Sequence, residues 1–218
     1  MFRKRLTIAV IFALISSLGI TAPIFADEPC LTFSGTHITG GVSCIGSITI
    51  PDGVTDIDEY AFYGATALTE IILPITLISL GAFSFYLTTR LTRITFSGTG
   101  LTVIPESAFN LSGITSITIP SSVTEIGYEA FANSKLTTVS IPQNVRIIHD
   151  GAFRNGILTS VNFSSSGNLH KIGEYAFNGN PHLTSVTLPE GLLEVGAYAF
   201  SNRQLTDLVI PASLTTLG

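Results

Sequence analysis

Residues able to do chemistry are few and widely spaced in this chain. It has 218 residues, with four histidines, two cysteines and fifteen carboxylates. The four histidines give no clear signal: His37 precedes the first full repeat, His149 replaces a turn glycine, and His170 and His182 fall at surface positions of the repeat. Glu59, Glu106, Asp150 and Glu174 recur at one- or two-fold multiples of a 22–25-residue period. A calcium site needs several carboxylates converging on one point, so one acid per period, interrupted at Tyr128, reads as a solvated edge. Serines are abundant, yet none sits in a nucleophile-elbow pattern. No catalytic set, cofactor or metal is expected, and the reading is non-enzymatic.

The period itself carries more information. Apolar residues recur at Ile45, Leu68, Leu91, Ile114, Leu136, Leu158, Leu183 and Leu205. We call this position 1; positions 4 and 6 are also apolar. Next comes an aliphatic V position: Val54, Leu77, Leu101, Val123, Val145, Leu169, Leu192 and Leu214. A second aliphatic follows three residues later. In every complete copy a Phe lies eight residues after V: Phe62, Phe85, Phe109, Phe131, Phe153, Phe177 and Phe200. In the second copy this spacing selects Ser84-Phe85 over the more conspicuous Ala82-Phe83. Length varies in the turn after position 6, where Ser97 or Ser164 replaces Pro, and in the link after Phe. Self-similarity at this period signals stacked coils, and confining insertions to two points keeps the rest in register.

The pattern L-x-x-L-x-L-P-x-x-L-x-x-I-G-x-x-A-F resembles the BspA-like (Treponema pallidum type) leucine-rich repeat class over about residues 45–218. The family often has Cys three residues after Phe; here Ala65, Ser112, Ser134, Gly156, Asn180 and Arg203 stand there. The resemblance implies a bacterial or protist surface protein used for adhesion or protein recognition, with no catalytic residues to transfer. The expected fold is a β-rich leucine-rich-repeat solenoid of about eight coils, the last incomplete. It should carry a parallel sheet on one face, with turns and short helical or extended segments on the other.

Residues 1–26 read as a signal peptide: basic Arg3, Lys4 and Arg5, an apolar run Leu6–Ile20, and a cleavage site before Asp27. The competing reading is an uncleaved anchor. The localisation expected is secreted or cell-surface, in a bacterium. Without the signal, seven basic residues face fifteen acidic ones, a net charge of −8. An acidic exported chain is a poor partner for nucleic acid or for an anionic membrane. Residues 27–44 read as an N-terminal cap. In an exported chain Cys30 and Cys44 should form a disulfide.

Within each coil, alternation around positions 4 and 6 predicts a short strand with those residues inward. The Gly that follows the second aliphatic (Gly81, Gly127, Gly173, Gly196) is expected to permit a tight bend. Positions 3 and 5 then face solvent as a hydroxyl-rich stripe. Its candidate binding residues are Glu70, Arg93, Thr95, Thr118, Thr138, Asn162 and Thr187. A second candidate is an aromatic patch of Tyr60, Tyr63, Phe83 and Tyr86, since exposed Tyr often anchors interfaces. Strand propensity of Thr explains the first equally well, and coil packing the second.

The preferred functional reading is a secreted or surface-displayed adhesion module that binds an extracellular or host protein. The alternative is a passive stalk, and a minor one is ice binding by the Thr-rich face, against which Glu70, Ile72, Arg93 and Val209 interrupt the array. The last copy stops at Leu217-Gly218 before its Ala-Phe, so the chain is expected to continue beyond Gly218.

Overall fold

The computed structural model describes residues 29–218; the signal segment proposed for residues 1–26 lies outside them. The chain winds into a β-solenoid whose coils stack one on the next, and no helix occurs among the described residues. The expected parallel sheet forms from the position 1–6 segments. β3 (Gly46–Thr49), β5 (Leu68–Leu73) and β7 (Arg93–Phe96) pair in parallel. β10 (Thr138–Ile141) pairs with β12 (Ser160–Phe163), and β14 (Ser185–Thr187) with β16 (Asp207–Val209).

This sheet comes in three pieces. The ladder beyond β7 shrinks to a single bridge, Arg93 to Ser116, no ladder joins the Ser116 segment to β10, and none joins β12 to β14. The first and the last of these gaps follow a coil whose turn after position 6 is lengthened, at Ser97–Gly100 and Ser164–Asn168. Those turns lack the Pro found elsewhere and add residues. The next strand then cannot lie flush against its neighbour.

A second, narrower sheet follows each V position, so the short helical or extended segments expected away from the first sheet are extended, and they pair from coil to coil. Its strands are two residues long: β4 (Asp56–Ile57) and β6 (Ser79–Leu80) in one ladder, and in a longer one β8 (Val103–Ile104), β9 (Glu125–Ile126), β11 (Ile147–Ile148), β13 (Lys171–Ile172), β15 (Glu194–Val195) and β17 (Thr216–Leu217). The second residue of each pair is the inward aliphatic of the repeat. Two residues are too few for the alternation by which a strand is recognised in sequence.

The first strands of the described residues belong to this second sheet. β1 (Thr32–Ser34) and β2 (His37–Gly40) form an antiparallel hairpin, and β2 pairs in parallel with β4. Cys30 and Cys44 form a disulfide. Cys44 is fully buried, whereas Ile45 is 75% exposed. The position-1 role assigned to Ile45 is therefore corrected: Gly46 adopts a φ of 75°, the register shifts there, and Cys44 takes the inward place.

Between the second sheet and the next coil runs an arc of turns that carries the Phe residues. Seven of them stack in one column from Phe62 to Phe200, with centroids 4.9–5.3 Å apart and planes within 12° of parallel. Phe85, not Phe83, occupies the column, as the fixed spacing from V required. Each Phe N–H donates to the carbonyl of the residue before the next Phe, as in Phe131 to Ala152 at 2.7 Å.

The residues two before each Phe, and two after each except Phe200, lie in the left-handed region and extend the ladder. Tyr60, Phe83, Ser107, Glu129, Gly151, Tyr175 and Tyr198 form the first such row, at φ of 49–64°. Gly64, Leu87, Leu111, Asn133, Asn155 and Gly179 form the second, at φ of 54–71°. Left-handed backbone is costly for a non-glycine residue. It persists because it aims each N–H at the coil above: Glu129 to the Asp150 carbonyl at 3.1 Å, and Asn133 to the Arg154 carbonyl at 2.8 Å.

The glycines after the second aliphatic have a different role from the bend expected of them. Their φ is not left-handed. They stand where the preceding coil's backbone passes: a Cβ at Gly81 would lie 2.2 Å from the Glu59 nitrogen, and one at Gly173 2.6 Å from the Asp150 nitrogen. Gly173→Ala must therefore push two coils apart. Its thermal midpoint should fall, whereas Gly64→Ala, with open space around it, should show only the smaller cost of its positive φ. Phe131→Ala should lose about 3–5 kcal/mol in chemical denaturation. Ser84 is the one residue before a column Phe that is not Ala, and its buried Oγ has no hydrogen-bond partner among the described residues. Ser84→Ala should raise stability by about 1–3 kcal/mol, the desolvation cost of an unpaired hydroxyl.

Candidate functional site

Two surfaces hold the candidates. On the first sheet, Thr95, Thr118, Thr138, Asn162 and Thr187 are exposed. None of these side chains makes a hydrogen bond to another described residue. Glu70 and Arg93 are engaged with each other, Arg93 Nη1 lying 3.3 Å from Glu70 Oε1, and Ser47 Oγ donates to the other Glu70 oxygen at 3.2 Å. Their charges tie three coils together before they meet any partner.

The interruptions of the sheet give this face relief. At the first lies a hollow of about 240 Å³ whose lining includes Arg93, Thr95, Ser116 and Thr118. At the last lies a larger one of about 520 Å³, with Ser160, Asn162, Ser185 and Thr187 on one side and Pro189 and Val209 on another. Five candidates from four coils thus line two hollows. Thr138 lies on β10, between them. The signal available in sequence was the pair of lengthened, Pro-free turns, whose effect on strand pairing is visible only in the fold.

The second surface is the arc. Tyr60 stacks on Phe83 at 5.2 Å and Tyr63 on Tyr86 at 5.2 Å, and the two pairs meet edge-on at 5.8 Å. The four rings form one cluster, with Tyr60 and Tyr63 well exposed. Partial desolvation, followed by the charge of Glu59, raises the Tyr60 phenol above its ordinary pKa.

Two of the four histidines serve as clips between coils, while His170 contacts the Asn168 carbonyl of its own turn. His37 Nδ1 lies 3.2 Å from Asp58 Oδ1 and its Nε2 3.5 Å from Asp56 Oδ2. His149 Nε2 lies 3.2 Å from Glu125 Oε2. Lys171 bonds Glu194 at 2.9 Å, and that bond raises its ammonium pKa above the ordinary value. Asn180 is the main buried polar contact: its Oδ1 accepts from the Leu158 N–H at 3.0 Å, and its Nδ2 donates to the Phe153 and Phe177 carbonyls at 2.9 Å each. It occupies the position where relatives often carry Cys, and its amide bridges adjacent turns.

A family model described as the BspA type leucine rich repeat region, in 6 copies, matches residues 41–158 and 102–218. The chain belongs to the BspA-type leucine-rich repeat family. Among solved structures it is similar to a leucine-rich repeat protein from Bacteroides ovatus ATCC 8483, at 22% identity and a TM-score of 0.68, covering 89% of this chain and 57% of that one. It is also similar to the T. pallidum leucine-rich repeat protein, at 26% identity and a TM-score of 0.59, covering 81% of this chain and 75% of that one. The chain thus spans little more than half the length of the Bacteroides protein. No curated protein matches it.

The solvent-exposed Glu70–Arg93 pair should contribute little. A double-mutant cycle of Glu70→Ala and Arg93→Ala should give a coupling below about 1 kcal/mol, shrinking further with added salt.

Proposed function

We propose that this protein is an exported, non-catalytic recognition module that binds an extracellular or host protein through the first-sheet face. The larger hollow carries this reading. It is a hollow of the sheet face where hydroxyl and amide groups of Ser160, Asn162, Ser185 and Thr187 sit unused beside apolar Pro189 and Val209. Apolar surface with a few polar groups that fix orientation is the usual composition of a binding site, and solenoids commonly bind along an extended face. The basic-then-apolar N-terminus supports export, and family membership is consistent with display outside the cell. The signal segment, the partner and the site residues are part of this proposal.

The test uses charge on the face without touching the core. Thr95→Lys, Thr118→Lys and Thr138→Lys together, and separately Asn162→Lys with Thr187→Lys, should leave the thermal midpoint within a few degrees of wild type. Both variants should reduce binding to host cells or matrix proteins in a pull-down by about tenfold or more. Undiminished binding by both variants would instead favour a passive spacer, or recognition elsewhere on the molecule.

A further inference from the structure

All six tyrosines of the chain lie on the arc, at five, six or nine residues after a V position. Five of them are 41–60% exposed. Rings stack from coil to coil, Tyr60 with Phe83 and Tyr175 with Tyr198 at 5.2 Å each. The same edge carries Glu59, Glu106, Glu129, Asp150 and Glu174, most of them exposed. A groove of about 290 Å³ brings Glu106, Asp150 and Glu174 together with Tyr128 and Tyr175.

We infer that this tyrosine–carboxylate edge docks an extended, arginine-bearing segment of a partner protein. Aromatic faces attract guanidinium groups, and neighbouring carboxylates receive their N–H forks. The edge already holds one such group of its own: Arg154 Nη2 lies 2.7 Å from Glu129 Oε1, inside the groove. Arg154 neutralises Glu129 only. Asp150 Oδ1 accepts the Glu174 N–H, and Lys171 and His149 lie nearby. Glu59, Glu106 and Glu174 form no ion pair with a described residue, so the edge remains net negative.

The spacing narrows the partner further. Glu59, Glu106 and Asp150 stand on alternate coils. With rings about 5.2 Å apart per coil on this side, that places them on the order of 10 Å apart. In a polyproline-II segment every third residue recurs after about 9.3 Å. The edge therefore fits a segment with arginine at every third position better than one with its arginines in a block.

This inference rests on the binding reading above but uses a different surface, so the two can fail separately. The probe is a fluorescein-labelled peptide of four Arg-Pro-Pro units, compared by fluorescence anisotropy at physiological salt with a peptide of the same composition whose four arginines are contiguous. The spaced peptide should bind saturably and at least fivefold tighter. Glu59→Gln with Glu106→Gln, and separately Tyr63→Ala with Tyr86→Ala, should each weaken it about tenfold. Asp52→Asn with Asp207→Asn, the same change in net charge away from the edge, should change it less than twofold. Absent binding, equal affinity for the two peptides, or equal loss in the Asp52/Asp207 control would overturn the inference. If the tyrosine variant melts below the assay temperature, the Glu59/Glu106 variant, which leaves ring packing intact, decides. Loss of cell binding on the sheet-face variants with peptide binding unchanged would leave both readings standing; cell binding without peptide binding would remove this one alone.

Discussion

Everything in this molecule depends on one coil lying on the next at a fixed separation of about 5 Å. The Phe column shows the constraint most directly. Seven rings stack nearly face to face because the backbone ladders on either side of them allow no other register. A single coil has no interior. Its position-1, 4, 6 and V residues become core only when the neighbouring coils close over them, so stability is a property of the stack. The same requirement explains the small residues. Ala before the column Phe in every coil but that of Ser84, and Gly81, Gly127, Gly173 and Gly196 after the second aliphatic, stand where a larger side chain would hold two coils apart.

The arc shows how far the chain goes to satisfy that ladder. Ten non-glycine residues, among them three tyrosines, hold a left-handed φ. Isolated, each would relax. In the stack, the conformation repeats coil after coil, every strained residue but Tyr198 in the last such turn donating its N–H to the coil above, and the hydrogen bonds stabilise the geometry that the local backbone disfavours. One consequence is that large aromatic residues on this row are directed outward, which is how the arc comes to carry exposed, stacked tyrosines.

Functional surface arises where the repeat is least regular or least constrained. On the first sheet, two lengthened turns interrupt strand pairing and leave hollows lined by side chains the core does not dictate. On the arc, several residues five, six and nine after V are exposed, and most of those are tyrosine or carboxylate, whereas Ser107, Asn110 and Ala132 at the same places are buried. The two surfaces differ in chemistry. One offers neutral hydrogen-bonding groups beside apolar residues; the other offers aromatic faces beside negative charge.

The repeat alone determined the fold class, the number of coils, the inward residues and the choice of Phe85 over Phe83, because each is a consequence of periodicity and needs no knowledge of how coils meet. The disulfide was legible too, from the only two cysteines of a chain whose N-terminus reads as an export signal. What the tertiary structure decided were features set between coils: the second sheet of two-residue strands, the left-handed rows, the place of Cys44 in the core instead of Ile45, and the true role of Gly81, Gly127, Gly173 and Gly196. It also decided that Thr95 meets Thr118, and Asn162 meets Thr187, across interruptions in the sheet. A sequence records each coil separately, about 22 residues apart; the distances that create a binding surface run at right angles to the chain, and only stacking sets them.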